Sequence, residues 1–166
     1  MATTVNIPAI STLGVKFGYA VETTAGTKPE KFIWIPRCTE IGEIPLDTET
    51  IDASALEDKQ SRYIPGRQDT GGEWNVTFFI TPETRPLIKK MMTDSSAGQL
   101  ENKRTWYEVW NPNDEEAVYV IGQPGSKIPF SGASQNEAYS GTLSIAIDEY
   151  REYETAIEPE LEGDEV

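Results

Sequence analysis

The chain of 166 residues contains no histidine and a single cysteine, Cys38. Without histidine there is no Ser-His-Asp or Cys-His nucleophile system, no imidazole-ligated zinc and no imidazole base near neutral pH. One cysteine excludes an intramolecular disulfide and any CxxC zinc or redox site. Positive charge is also scarce: 14 Lys and Arg stand against 28 Asp and Glu, for a net charge of −14. Tight DNA binding draws on many Lys and Arg contacts to phosphate, so that class is disfavoured. No apolar run approaches the roughly 18 residues of a membrane helix. The start, Met1-Ala2-Thr3-Thr4-Val5, lacks the basic and apolar stretches of a signal peptide, so a location in the cytoplasm at synthesis is expected. Gly71-Gly72 leads into a strand pattern and not a helix, so it has no phosphate-loop geometry. Together these absences predict a protein that is not an enzyme and carries no cofactor or metal.

What is present indicates a folded body. Aromatics make up 10% of the chain, too many for a disordered segment. Alternation of apolar and polar residues marks strands at 16–22, 74–80 and 139–148, with further candidates at 31–38, 105–110, 117–121 and 127–130. Turn residues separate them at Ala25-Gly26-Thr27, Asn111-Pro112-Asn113-Asp114 and Gln123-Pro124-Gly125. The pattern predicts a mainly β fold, a β-sandwich or barrel of two packed antiparallel sheets. One short flanking helix is expected at about 85–93. Thr84 would be its N-cap, Leu87, Ile88, Met91 and Met92 its packing stripe, and Asp94-Ser95-Ser96-Ala97-Gly98 its stop.

Charge divides the chain. Residues 148–166 hold nine acids and one Arg, a net of −8, which leaves −6 on the other 147 residues. Dense like charge with few apolar residues predicts a flexible acidic tail at 151–166 behind a domain at 1–150. The tail is expected to be dispensable, so truncation at Tyr150 would leave assembly intact.

The segment at about 40–72 is long for a loop. It carries Ile44, Leu46, Ile51, Leu56, Tyr63 and Ile64 among charges of both signs. An ordered excursion toward a partner and an extra hairpin of the same domain both fit it. Other chemistry is weak. Adjacent acids at Glu57-Asp58 and Asp114-Glu115-Glu116 do not define a catalytic cleft. Asn111–Glu115 lacks the central Gly of a calcium loop. Trp34, Trp74, Trp106 and Trp110 suit core packing, or alternatively the face of a monomeric carbohydrate-binding β-sandwich.

The stretch Thr50-Ile51-Asp52-Ala53-Ser54-Ala55-Leu56-Glu57-Asp58-Lys59, followed by Arg62-Tyr63-Ile64-Pro65-Gly66-Arg67-Gln68-Asp69-Thr70-Gly71-Gly72, resembles the major tail tube proteins of long-tailed bacteriophages. The strand Glu73-Trp74-Asn75-Val76-Thr77-Phe78, the helix after it and the closing strand match the same order. The resemblance implies a structural virion protein whose subunits form hexameric rings stacked into a tube. Such a tube conducts DNA during ejection without binding it specifically. Its implied partners are copies of itself, a tape-measure protein and tail-tip or terminator proteins, with no membrane span. Its implied location is the phage tail, after assembly in the host cytoplasm. The contacts between subunits and rings would fall on Glu57, Asp58, Lys59, Arg62, Tyr63, Ile64 and Arg67.

Overall fold

A computed structural model describes residues 9–161. Nine strands and one helix are described: β1 Lys16–Val21, β2 Ile33–Ile35, β3 Cys38–Ile41, β4 Asp47–Asp52, β5 Tyr63–Asp69, β6 Glu73–Phe79, α1 Thr84–Leu100, β7 Thr105–Trp110, β8 Glu116–Pro124 and β9 Ser140–Thr155. Seven strands form one sheet in the order β2-β1-β7-β8-β9-β6-β3, and β4 and β5 form a second of two strands. Every pairing in both sheets is antiparallel.

The seven-stranded sheet is strongly curled. Laid flat, six spacings of about 4.8 Å would put its edge strands some 29 Å apart. Yet β2 and β3 are joined through Pro36 and Arg37 alone, a link that reaches about 11 Å at most. The two edges therefore meet at a corner. Arg37 turns it with φ 65°, and its carbonyl accepts the N–H of Phe79 at 2.9 Å. Phe17 of β1 touches Trp74 and Phe78 of β6 across the interior, with ring centroids 5.6 and 5.5 Å apart, although three strands separate β1 from β6 along the sheet. The result is sandwich-like, and β2 and β3 are not paired, so no closed barrel forms.

Strand β9 makes the long bend. Its first half pairs with β6 and its second with β8. The β8–β9 register shifts twice, and Glu152 adopts φ 67° inside the strand. Gly122 permits the close approach: a Cβ there would meet the Ala146 carbonyl oxygen at 2.5 Å.

Helix α1 fills the concave side. Ile88, Met91 and Met92 join Phe17, Tyr19, Trp74 and Tyr107 in the main core, as the apolar stripe predicts, whereas Leu87, the fourth residue of that stripe, is half-buried and outside it. The helix runs seven residues past its expected end because the apparent stop is committed to tertiary partners. Asp94 accepts the Tyr19 hydroxyl at 3.1 Å, and Ser95 accepts that of Thr105 at 2.8 Å. Gly98 packs where a Cβ would meet Val21 Cγ1 at 2.6 Å. The helix ends where Asn102 takes φ 59° and Lys103 N–H returns to the Gly98 carbonyl. Thr84 is the first helical residue and not the cap. Its hydroxyl donates to the Phe79 carbonyl at 2.8 Å and accepts the Thr81 N–H at 2.9 Å.

Three other expectations change. Residues 127–130 form no strand, Gln123 and Pro124 belong to β8, and the 31–38 run divides into β2 and β3. No helix of the described residues is long and apolar enough to cross a membrane.

The acidic C-terminal region differs most from the sequence reading. Residues 151–155 complete β9, and Glu160 bridges Ile33. Trp34 N–H donates to the Glu160 carbonyl at 2.8 Å. Ala156 and Ile157 cover a second cluster of Phe32, Trp106, Tyr119 and Ile121 on the opposite face of the sheet. Cations from distant segments offset the acids. Arg104 meets Glu149 at 3.0 Å and Lys16 meets Glu158 at 3.0 Å, while Lys28 lies 3.8 Å over the Tyr119 ring and donates to the Thr155 carbonyl. Charge counted along the chain misses these partners. Residues 162–166, the rest of the expected tail, lie outside the described residues.

Candidate functional site

The long segment is a hairpin. Strands β4 and β5 pair Ile51 with Ile64 and Thr50 with Pro65, with a bulge near Gly66 and Arg67. The base is tied to the body: Ile44 packs on the main core, and Ile147 N–H donates to the Gly72 carbonyl at 3.0 Å. Beyond the base both strands are exposed along nearly their whole length. A two-stranded ribbon is marginal alone in water. This one also carries exposed apolar side chains at Leu46, Ile51, Leu56, Tyr63 and Ile64. These were among the residues the sequence suggested could pack; of that set only Ile44 does so.

The tip is held by its own polar groups. Asp52 accepts the Ser54 N–H at 2.9 Å, and Asp58 accepts the Ala55 N–H at 2.7 Å. Ser54 Oγ accepts the Arg62 N–H at 2.7 Å, and Ala53 N–H donates to the Arg62 carbonyl at 2.9 Å. The Ser54 hydrogen bonds lower the Asp52 carboxyl below its ordinary value. Arg62 and Asp58 form an ion pair at 3.4 Å. The conspicuous Asp-x-Ser-x-Leu-Glu-Asp pattern thus builds the loop. It leaves Leu56 fully exposed, with Glu57 and Lys59 beside it.

The seven residues expected to make contacts are therefore not one cluster. Asp58 and Arg62 face each other within the tip, and Glu57 and Lys59 point to solvent. Tyr63 and Ile64 take opposite faces of the ribbon, Ile64 beside Ile51 and Tyr63 beside Asp52. Arg67 sits at the bulge, away from the tip. Leu56 was missing from that set. An apolar residue inside a charged turn was its only signal.

Fold comparison places this architecture. No family model matches the chain, and no curated protein matches it. Among the solved structures that share its fold are two from tail-related particles. One is a chain from the tail of an empty gene transfer agent (GTA) particle with C6 symmetry, at TM-score 0.54 and 14% identity, covering 90% of this chain and 100% of that one. The other is a chain from the six-fold symmetrised baseplate of the anti-feeding prophage, at TM-score 0.51 and 12% identity, covering 89% and 96%. The likeness is one of fold.

The four tryptophans do not gather on one exposed face; Trp34 and Trp110 are half-buried, with Lys16 Nζ 4.6 and 5.2 Å from their ring centroids. Trp74 and Trp106 are buried in different clusters. Trp106 and Trp110 share one side of β7, and Tyr107 and Val109 the other, as strand alternation dictates. Glu108 lies between the tryptophans and is fully buried. Tyr119 donates to its Oε2 at 2.6 Å and Ile157 N–H at 3.0 Å, while Oε1 has no partner among the described residues. Burial pushes its carboxyl above the ordinary value despite these bonds and the nearby Lys28. Cys38 is half-buried on edge strand β3, and burial raises its thiol to about 11. Such a thiol is not a nucleophile near neutral pH.

Proposed function

We propose that this protein is a structural, non-enzymatic subunit of a phage-like tail, assembling with its own copies into hexameric rings that stack as a tube for DNA ejection. The observation that carries the reading is the β4–β5 hairpin. It is an internally tied ribbon with exposed apolar residues and no cover among the described residues. Burying those residues against another subunit would supply the stabilisation the ribbon lacks. The shared fold with chains of six-fold tail assemblies supports the same reading. So does charge. A conduit lined by acidic subunits repels duplex DNA, itself charged about once per 1.7 Å, and lets it slide. The net charge of −14 suits that role. In this reading the subunit resides in the particle's tail after assembly in the host cytoplasm, beside a tape-measure protein and tip or terminator proteins.

Negative-stain electron microscopy of the concentrated protein, with light-scattering mass on the same sample, tests the proposal. Rings or hollow tubes are expected. A monomer at every concentration, including with preformed tail tips as seeds, would overturn it.

A further inference from the structure

A groove of about 630 Å³ opens between α1 and the segment joining β8 to β9. Its apolar lining includes Ile80, Met92, Phe130 and Tyr139. Phe130 and Tyr139 are 72% and 49% exposed although their rings lie 6.2 Å apart. The rim is basic: Arg85, Lys89 and Lys127 converge on it. No ion pair among the described residues neutralises any of the three. Three uncompensated cations around one apolar groove stand out in a chain with twice as many acids as bases. They call for an apolar ligand with negative charge beside it.

We infer that this groove receives the hairpin tip of a second copy of the chain, with Leu56 seated among the apolar residues and Glu57 facing the Arg85–Lys89–Lys127 rim. The inference rests on the tail-subunit reading and names the surface that the hairpin meets. Three observations carry it. Leu56 is fully exposed on a loop already ordered by the Asp52, Ser54 and Asp58 hydrogen bonds, so docking costs little further entropy. The charge of Glu57, the acid next to the leucine, complements the unpaired basic rim, while Asp58 and Arg62 neutralise each other within the tip and Lys59 lies three residues from the leucine. The third is geometric. The hairpin leaves the body just before Glu73, at the start of β6, and the groove begins at Ile80, just past its end. These sites stand about 20 Å apart along a strand of this length. The hairpin strands stay exposed and do not fold back over the body. Knob and hole at opposite ends of one chain make a head-to-tail contact, which propagates from copy to copy and does not close as a two-fold dimer.

The test compares the full-length protein with folded variants, Leu56→Asp on the knob and Lys89→Glu on the rim. Thermal melting confirms that each is folded, since both positions are exposed. Each is expected to lower the assembled fraction by at least tenfold, and Glu57→Lys combined with Lys89→Glu to recover most of it. As a direct probe, a Leu56→Cys copy is mixed with a Ser96→Cys copy, both on a Cys38→Ser background. Mild oxidation is expected to give a mixed disulfide dimer, and neither variant alone should give one. Tubes that form normally with Lys89→Glu and without the mixed disulfide would overturn the docking and leave the tail-subunit reading standing. Loss of tubes with Lys89→Glu but not with Leu56→Asp would assign the groove to another occupant and overturn the docking too. A wild type that does not assemble, together with a cysteine pair that does not cross-link, would overturn both.

Discussion

Two buried glutamates show how one residue type acquires opposite roles. Burial would raise the Glu22 carboxyl, but the backbone N–H of Arg104 at 2.7 Å and the indole N–H of Trp106 at 3.1 Å outweigh it and hold it below its ordinary value. A lowered folded pKa stabilises the protein above the unfolded value of about 4.5, and that stabilisation is lost as pH falls through the folded value. Glu22→Ala strips the indole and amide of their acceptor, and a loss of about 2–3 kcal/mol is expected by urea denaturation at neutral pH. Glu108 behaves in the reverse sense. Its raised carboxyl favours the fold fully below about pH 4.5, and the benefit fades as pH rises through the folded value. Glu108→Gln keeps a neutral hydrogen-bonding group there. The decline of stability with rising pH is expected to become shallower, as read from urea midpoints across that range. Parity along β7 was legible in the sequence, but the difference between these two carboxyls was not. It depends on burial prevailing at Glu108 while the Arg104 and Trp106 donors prevail at Glu22, a balance that only the fold sets.

At the scale of the element, the helix separates propensity from packing. Its apolar stripe could be read from Ile88, Met91 and Met92, but its end could not, because Asp94, Ser95 and Gly98 look like a stop until their tertiary partners are known. Gly98→Ala gains up to about 1 kcal/mol of helix propensity. The new methyl would meet Val21 Cγ1, on a stiff β-branched side chain, and lie 3.2 Å from the Lys103 carbonyl. A net loss of about 1–3 kcal/mol is expected from thermal or urea melts. The hairpin is the opposite case, an element that the body does not need. Deleting residues 56–65 removes its tip with Leu56, Tyr63 and Ile64 and leaves the base anchored at Ile44 and Gly72. The expected variant melts within a few degrees of wild type and forms no tubes; tubes from this variant would sink the assembly role of the hairpin.

For the whole molecule, the C-terminal region sets the limit on truncation. Cutting at Tyr150 removes half of the β8–β9 pairing and uncovers Phe32, Trp106 and Tyr119. Contrary to the dispensable tail expected from charge density, such a variant should be unfolded or aggregated, with near-ultraviolet circular dichroism losing its native aromatic signal. A native spectrum would show that the second cluster does not need its cover. What the sequence determined by itself was local. Alternation of apolar residues set the strands, a stripe of Ile and Met set the helix, and the missing histidines and paired cysteines closed whole classes of chemistry. Tertiary structure decided everything that depends on residues far apart in the chain: the curl that brings β2 against β3, the cations that turn acidic residues 148–160 into sheet and cover, and the exposure of Leu56 opposite a basic groove. Periodicity reports which face of an element is apolar. Only the folded chain reports what that face meets, because burial and charge compensation are properties of neighbours in space.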